Sequence, residues 1–390
     1  MQKKLKIVIF DGSFQTTTFI RRLIKGLVSQ GHQVYVLGFN LYNPSPVESV
    51  HYESLGSNQD KLELLTKSLA LQGLGALKNL FNFDKKKLQA KNLAKVLKKI
   101  NPDVIHAQWN SVLPWLEPYL EHKTYPIILS QRGYHTNIRP FINTKNYAYL
   151  QRIYPKLSGL HSVSEAISEN GKKVGEAFTR IDKVVHTGLD LKKFPVLTSY
   201  RKKNRLELIS VGRAHWIKDY SMAIRACAIL KKENINFHYI IVGAAGNEEL
   251  IYLINFFRLN SFISLTEKLP FEEVQKKVFS ASLSLITSIK EGIPNVAVEA
   301  MALGTPVIST DCGGMEELIT HQQEGWIIPR RNPQALADQI QAFVRLSESE
   351  IEQIRQAARQ KVEREFNEEQ MVVGMEQLYK KVLNAYKQYT

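Results

Sequence analysis

Cysteine is almost missing from this 390-residue chain, which carries only Cys227 and Cys312. That excludes a disulfide framework and makes a reducing compartment the simpler expectation. No apolar stretch reaches the ~18 residues that a membrane span needs. The opening MQKKLKIVIFDGS has a basic start and a short apolar run, but Asp11 interrupts it and no small-residue cleavage pattern follows. It reads as a first strand rather than a signal peptide, and the expected location is cytoplasmic. There is no P-loop, no G-x-G-x-x-G turn, no nucleophile elbow and no metal-ligand spacing. A dinucleotide site in the first half, serine-hydrolase chemistry and a bound catalytic metal therefore lack their usual signatures. Low-complexity segments are absent as well.

What is present is globular in composition, with 44% hydrophobic and 23% charged residues and length enough for two domains. The net charge of +15 is uneven: residues 1–190 carry +12 and residues 191–390 only +3. The first half is the one expected to meet an anionic partner.

Short apolar runs alternate with helical patterns in both halves. In the first half these runs are 5–10, 33–38, 103–107, 126–130, 160–164 and 183–187. In the second they are 206–212, 237–243, 262–267, 283–287 and 306–310. Most are unbroken and rich in Val, Ile and Leu, as parallel strands covered on both faces must be. The pattern predicts an α/β chain with two Rossmann-like, doubly wound domains, residues 1–190 and 191–366, facing a central cleft. The join falls in the charged, turn-rich stretch 188–204. Residues 367–390 form a last helical segment, with Met371, Met375, Leu378, Val382 and Ala385 at helical spacing. By pattern alone it either covers the second sheet or crosses back to the first domain.

The stretch Glu291–Ile319, EGIPNVAVEAMALGTPVISTDCGGMEELI, carries the strongest chemical signal. Pro294 suits the first turn of a helix, because its missing N–H has no partner to lose there. The amides from about Asn295 onward then form an anion site, reinforced by the helix dipole. Glu291 precedes the helix and Glu299 lies about one turn inside it. Two glutamates at this spacing are common as surface or capping groups. The framing by Gly292, Pro294, Gly304, Pro306, Gly313 and Gly314 favours a site instead. Carboxylates near phosphates then make sense as acceptors of sugar hydroxyls. In VGRAHWIKDY, Arg213 and Lys218 follow Gly212 at the end of the second domain's first predicted strand. Two cations placed there suit a diphosphate better than bulk solvent.

The first half offers weaker candidates. Gly12 and Ser13 permit close approach of a ligand to the loop after the first strand. His106 and His135 sit at strand ends, where a structural hydrogen bonder is the commoner role. Between Lys85 and Lys99, seven lysines accompany an apolar stripe of Leu88, Leu93, Val96, Leu97 and Ile100. Part of this is an ordinary amphipathic helix. The excess of lysine suits an anionic membrane surface, at about 1 kcal/mol per residue. Nucleic acid is the rival anion, but no interleaved aromatic platform supports it. Phe81 and Phe83 precede the lysine run.

In series, these segments resemble a GT-B-fold glycosyltransferase of the large retaining family 4. The residues that carry the resemblance are TTTFIRRLIKGLVSQGHQVYVLG, DVIHAQW, VSEAI and HTGLDLKKF in the first half. In the second they are VGRAHWIKDY as a G-R-x4-K loop, 291–319 as an E-x7-E motif followed by GG-x-x-E, and GWIIPRRNPQALADQI. The resemblance implies a metal-independent, retaining hexosyltransferase that uses a nucleotide diphosphate sugar as co-substrate and no cofactor. It implies that Arg213 and Lys218 hold the diphosphate beside Gly212. Glu291 would contact the transferred sugar near Gly292, Ile293, Pro294 and Asn295, and Glu299 would bind the ribose. The first domain would take a glycan or lipid-linked acceptor in bacterial surface polysaccharide or glycolipid synthesis, with Gly12, Ser13, His106, Arg132 and His135 as candidates. Lys85–Lys99 would dock the enzyme peripherally on the inner membrane face. The terminal helix would return to the first domain. Three positions depart from the family. Lys218-Asp219 replaces a lysine-glycine pair, Arg132-Gly133-Tyr134-His135 replaces H-G-x-D, and Thr187-Gly188-Leu189-Asp190 replaces an N-G-x-D turn. A sugar-nucleotide epimerase and a non-catalytic sugar-nucleotide-binding subunit are the alternatives on the same fold.

Overall fold

A computed structural model describes residues 3–73, 84–175, 181–195 and 199–388. Phe81 and Phe83 lie outside the described residues. The chain divides into two units. The first is Met1–Val163, Ser168–Gly188 and Glu368–Thr390, and the second is Ser164–Ile167 and Leu189–Asn367.

In the first unit the strands are β1 (Lys6–Gly12), β2 (Gln33–Gly38), β3 (Val50–Ser54), β4 (Val104–Ala107), β5 (Ile127–Gln131), β6 (Gly159–Ser162) and β7 (Asp182–Val184). They pair in parallel in the order β3-β2-β1-β4-β5-β6-β7. The winding direction reverses between β1 and β4, which makes that pair of strand ends the switch point where ligands sit in such sheets. Strand β1 shows why its sequence is a continuous apolar run. Ile7 and Ile9 face the helix Thr18–Ser29 through Ile20, Leu23, Ile24 and Leu27. Val8 and Phe10 face the helix Lys85–Ile100 through Leu93, Val96, Leu97 and Ile100. Alternate residues fill opposite cores, so both must be apolar.

The terminal helix Glu368–Lys387 belongs to the first unit. Met371, Val372, Met375, Leu378, Tyr379 and Val382 join the core on the Ile7 and Ile9 side. Glycines make room for it. A Cβ on Gly26 would lie 2.1 Å from Val372 Cγ2, and one on Gly159 would lie 2.6 Å from Val382 Cγ2. Buried polar contacts fix its register. His32 accepts from the Leu5 amide at Nδ1 (3.1 Å), so its Nε2–H donates to Glu376 (2.8 Å). Tyr379 reaches His106 (2.8 Å).

The second unit repeats the plan with β8 (Leu206–Val211), β9 (Phe237–Val242), β10 (Ile263–Thr266), β11 (Leu283–Ile286), β12 (Val307–Thr310) and β13 (Trp326–Ile328). All pairs are parallel, in the order β10-β9-β8-β11-β12-β13, and the switch point lies between β8 and β11.

Strands β3 and β13 are the two that the apolar runs did not predict. Both are edge strands. VHYES is only partly buried, and WII has three residues. An edge position does not demand a continuous apolar stretch, so the signal is weak there.

Candidate functional site

The loops that leave β8 and β11 bring Arg213, Lys218 and Glu291 to one switch point. Gly212 follows β8 with φ +149°, and a Cβ there would stand 3.0 Å from the Tyr220 hydroxyl. That hydroxyl donates to the Gly212 carbonyl (3.1 Å). Lys218 ends a short 3-10 turn, Trp216–Lys218. Asp219 then takes the left-handed conformation, φ 46° and ψ 46°, and its carboxylate caps the helix Tyr220–Lys232 by accepting from Met222 N (3.3 Å). The family's glycine is replaced, yet a left-handed turn forms. Aspartate tolerates that region because its short side chain bonds locally.

Lys218 Nζ meets Glu291 Oε1 at 2.7 Å, and Ser288 Oγ donates to the same oxygen at 3.0 Å. Both ionic side chains are partly accessible, Lys218 at 25% and Glu291 at 18%. Arg213 is exposed and follows Gly212 directly after β8. The backbone of Glu291 is fixed from β12. Its amide donates to Cys312 O (2.8 Å), and Gly314 N donates to Gly292 O (2.8 Å). The Gly-Gly pair is required by this approach. Gly313 has φ +99°, and its Cβ would lie 2.3 Å from Glu291 O; a Cβ on Gly314 would lie 2.5 Å from Gly292 O. Glu317, the last residue of GG-x-x-E, accepts from the amides of Glu165 (3.0 Å) and Ala166 (3.2 Å), at the start of the helix Glu165–Lys172.

The helix after Glu291 runs Asn295–Ala302. Pro294 occupies its N-cap position rather than its first turn, one residue earlier than the sequence predicts, so Asn295 opens the helix. Gly292 and Pro294 are buried, while Ile293, Asn295 and Glu299 are half-buried. Sequence reasoning missed Ser288 and Tyr220, which have no motif signal of their own. Burial, and after it the Glu291 carboxylate, raise the Tyr220 phenol above its ordinary range and keep it a neutral donor. Cys312 is buried with its thiol pushed up to about 11, chiefly by desolvation, so it is a packing residue and not a nucleophile. A cavity of about 440 Å³ lies alongside, lined by Trp216, Asp219, Arg225, Asn247 and Arg331 among others. Lys218, Glu291 and Glu299 do not line it, so it is not the centre of this constellation. Among the described residues, no group of three or more His, Cys, Asp and Glu side chains is placed to hold a metal ion.

The first unit's candidates separate into two groups. His106 is fully buried inside β4. Its Nε2 contacts Ser130 Oγ (2.8 Å), which contacts His161 Nδ1 (2.8 Å), while His161 Nε2 reaches the Val185 carbonyl (2.9 Å). The carbonyl can only accept, which fixes every proton in the chain. Tyr379 O–H donates to His106 Nδ1, His106 Nε2–H to Ser130, Ser130 O–H to His161 Nδ1, and His161 Nε2–H to Val185 O. Both imidazoles are neutral in this arrangement. Desolvation, aided by nearby cationic groups, holds His106 well below its ordinary range and lowers His161 to about 3. His106 thus has a complete structural role.

Gly12, Arg132 and His135 lie instead at the carboxyl ends of the strands. Gly12 ends β1 with φ +82°, and half-buried Ser13 accepts from Gln15 N (3.1 Å). Arg132 stacks on Phe19 at 4.2 Å and donates to Gln108 Oε1 (3.0 Å). His135 packs against Trp109 with ring centroids 5.8 Å apart. Burial, then Arg139, lower its pKa. Asp11, which sequence reasoning used only to end an apolar run, is 8% exposed and accepts from Trp109 Nε1 at 2.5 Å. On the lysine face, Lys85, Lys86, Lys87, Lys91, Lys95, Lys98 and Lys99 are all exposed, and Lys99 pairs with Glu53 (3.0 Å). No described helix is long and apolar enough to cross a membrane.

Two family models match this chain in succession: Glycosyltransferase Family 4 over residues 16–193 and Glycosyl transferases group 1 over residues 198–361. The putative colanic acid biosynthesis glycosyltransferase WcaL of Escherichia coli (strain K12) is 34% identical over 193 residues, 48% of each chain. The amylovoran biosynthesis glycosyltransferase AmsK of Erwinia amylovora is 35% identical over 194 residues, 47% of each. The chain thus spans about half the length of these curated relatives it matches. Among solved structures, a glycosyltransferase from Rickettsia africae ESF-5 aligns with a TM-score of 0.74 at 18% identity, over 98% of this chain and 99% of that one. Anabaena Alr3699/HepE, solved in complex with UDP-glucose, aligns at 0.70 and 18% identity, over 98% and 100%. Identities this low establish the fold.

Proposed function

This chain is a GT-B-fold relative of the glycosyltransferase group 1 and family 4 proteins, and from that we infer that it transfers a sugar from a nucleotide diphosphate sugar to an acceptor hydroxyl. The observation that carries the reading is the Lys218–Glu291 contact at the β8/β11 switch point, in the loop that Arg213 opens after β8. Arg213 and Lys218 hold the diphosphate, Glu291 orients the transferred sugar, and Glu299 takes the ribose. The bond between the anomeric carbon and the β-phosphate oxygen breaks with its electron pair leaving on the diphosphate. The acceptor oxygen bonds to the same face of the anomeric carbon, and its proton passes to the departing diphosphate. Configuration is retained. The two cations and the amides at Asn295 stabilise the leaving charge, which is the largest catalytic term available here. No metal ion has a part in this scheme.

Lys218 Nζ, the ammonium that the diphosphate requires, is held by Glu291 Oε1 at 2.7 Å. Donor binding therefore exchanges one anion for another at Lys218 and leaves Glu291 free to accept from sugar hydroxyls. The acceptor is a glycan or lipid-linked sugar bound by the first unit, and the product belongs to surface polysaccharide or glycolipid synthesis. The name of its relative WcaL, a putative colanic acid biosynthesis glycosyltransferase, supports that assignment. The protein works in the cytoplasm, with the Lys85–Lys99 face docking it on an anionic membrane.

Incubation with UDP-, GDP- and ADP-sugars, read by mass spectrometry, tests the reaction. HepE was solved with UDP-glucose, so that donor comes first. Transfer to a glycoside or release of free sugar supports the reading. An epimerised donor points to an epimerase, and binding without turnover points to a non-catalytic subunit. The membrane assignment has its own test, sedimentation with phosphatidylglycerol vesicles at low salt. Replacing Lys85, Lys86, Lys87 and Lys91 with glutamine weakens that binding; a wild type that stays in the supernatant disproves it.

A further inference from the structure

Asp11 is a carboxylate that the donor chemistry leaves unused. It stands at the carboxyl end of β1, and Gln108 and Trp109 follow β4 directly. These two strands flank the first unit's switch point. Arg132 follows β5 and is close enough to act electrostatically on Asp11. Its donors nevertheless go elsewhere, to Gln108 Oε1 (3.0 Å) and Ser130 Oγ (3.4 Å). Acid and base face each other without joining. Two donors nearby are also left over: Arg132 Nε and Gln108 Nε2 are buried with no hydrogen-bond partner among the described residues. Buried polar groups in that state call for a ligand or water.

The composition of the cluster limits what fits. A phosphate or carboxylate ligand meets Asp11, and a cationic one meets Arg132. A neutral ligand bearing several hydroxyls suits both, since each hydroxyl donates to a carboxylate and accepts from a guanidinium or amide. Phe19 and Trp109 supply apolar faces beside these groups. We propose that Asp11, Arg132 and Trp109 form a subsite for a neutral sugar ring, with Asp11 accepting a hydrogen bond from one of its hydroxyls. This rests on the glycosyltransferase reading only in naming that ring as part of the acceptor.

Burial pushes the Asp11 carboxyl up to about 6, against the opposing pull of Trp109 and Arg132. The charged form therefore weakens the fold near neutral pH, as expected of a group kept for binding rather than for stability. That separates the two roles by experiment. The probes are methyl β-glycosides of glucose, galactose and N-acetylglucosamine, titrated against the full chain without nucleotide and followed by saturation-transfer NMR. At least one binds the wild type, and Asp11→Asn weakens it tenfold or more. In urea denaturation at pH 7.5 the same variant unfolds at a higher midpoint than the wild type. Arg132→Met, as a second variant, also weakens the glycoside. Three results each overturn the proposal: no glycoside binds the wild type, Asp11→Asn binds it unchanged, or Asp11→Asn is the less stable protein. Failure of UDP, GDP and ADP to bind sinks the donor reading instead and leaves this titration intact.

Discussion

The two units are built on the same plan and treat their switch points differently. In the second, the charged groups at the β8 and β11 ends are partly open, and Lys218 and Glu291 satisfy each other in a contact that a ligand can replace. In the first, the polar groups inside β4, β5 and β6 are consumed by the protein itself, while Arg132 and Gln108, just past the β5 and β4 ends, keep buried donors without partners among the described residues. The relay from Tyr379 through His106, Ser130 and His161 to Val185 leaves nothing for a substrate. Polar groups at the strand ends thus keep capacity for a ligand, while those inside the first unit's strands hold the terminal helix. Position in the fold nominates a residue, and its hydrogen-bond accounting decides its role.

Substitutions on the two sides test that contrast. The largest effect is expected from Glu291→Ala, which lowers turnover by two orders of magnitude or more while nucleotide binding persists; full activity removes Glu291 from the sugar site. Next, Arg213→Ala or Lys218→Ala weakens nucleotide diphosphate binding 10- to 100-fold, about 1.4–3 kcal/mol. Calorimetry with UDP and GDP measures it, and an unchanged affinity refutes the clamp. On the other side, Tyr379→Phe strands a buried His106 nitrogen and costs about 1–3 kcal/mol of stability, seen in urea denaturation. If it also abolishes turnover at a temperature where the variant is folded, His106 is more than a pin.

The relay also predicts a pH effect. His106 and His161 have folded pKa values below the unfolded value near 6.5. The unfolded chain then binds more protons, so stability is lost as pH falls from about 6.5 toward 3, at up to ~1.4 kcal/mol per pH unit for each histidine. Asp11 acts with the opposite sign between about 4 and 6, because its folded pKa is raised. Denaturation midpoints at pH 7.5, 6 and 5 decide which dominates, and two histidines against one carboxyl give a net loss in acid. The smallest effect is Asp219→Gly. Relief of the left-handed backbone offsets loss of the helix cap, so stability moves by less than about 1 kcal/mol and nucleotide affinity holds. A large loss of affinity shows that the Asp219 side chain has a role at the site.

Most of the strand framework was legible because buried parallel strands must be apolar on both faces. The Glu291–Gly314 segment was legible because close backbone approach demands glycine, as Gly313 and Gly314 show against Glu291 and Gly292. Ser288 and Tyr220 were not, since a serine or tyrosine that meets Glu291 or Gly212 looks like any other in a sequence. The edge strand β3 stayed hidden because it is only partly buried, and β13 because its run is only three residues long, although Trp326 and Ile328 are core residues.

By itself the sequence determined the alternation of elements, the E-x7-E segment with its glycines, and the concentration of basic charge in the first half. These are local properties, set by periodicity, backbone freedom and composition. Only the tertiary structure decided that the terminal helix belongs to the first unit, that His106 is committed to it through Tyr379, and that Asp11 accepts from Trp109 while Arg132 donates elsewhere. Those facts depend on which distant segments meet, and therefore on which polar groups find partners when water is removed.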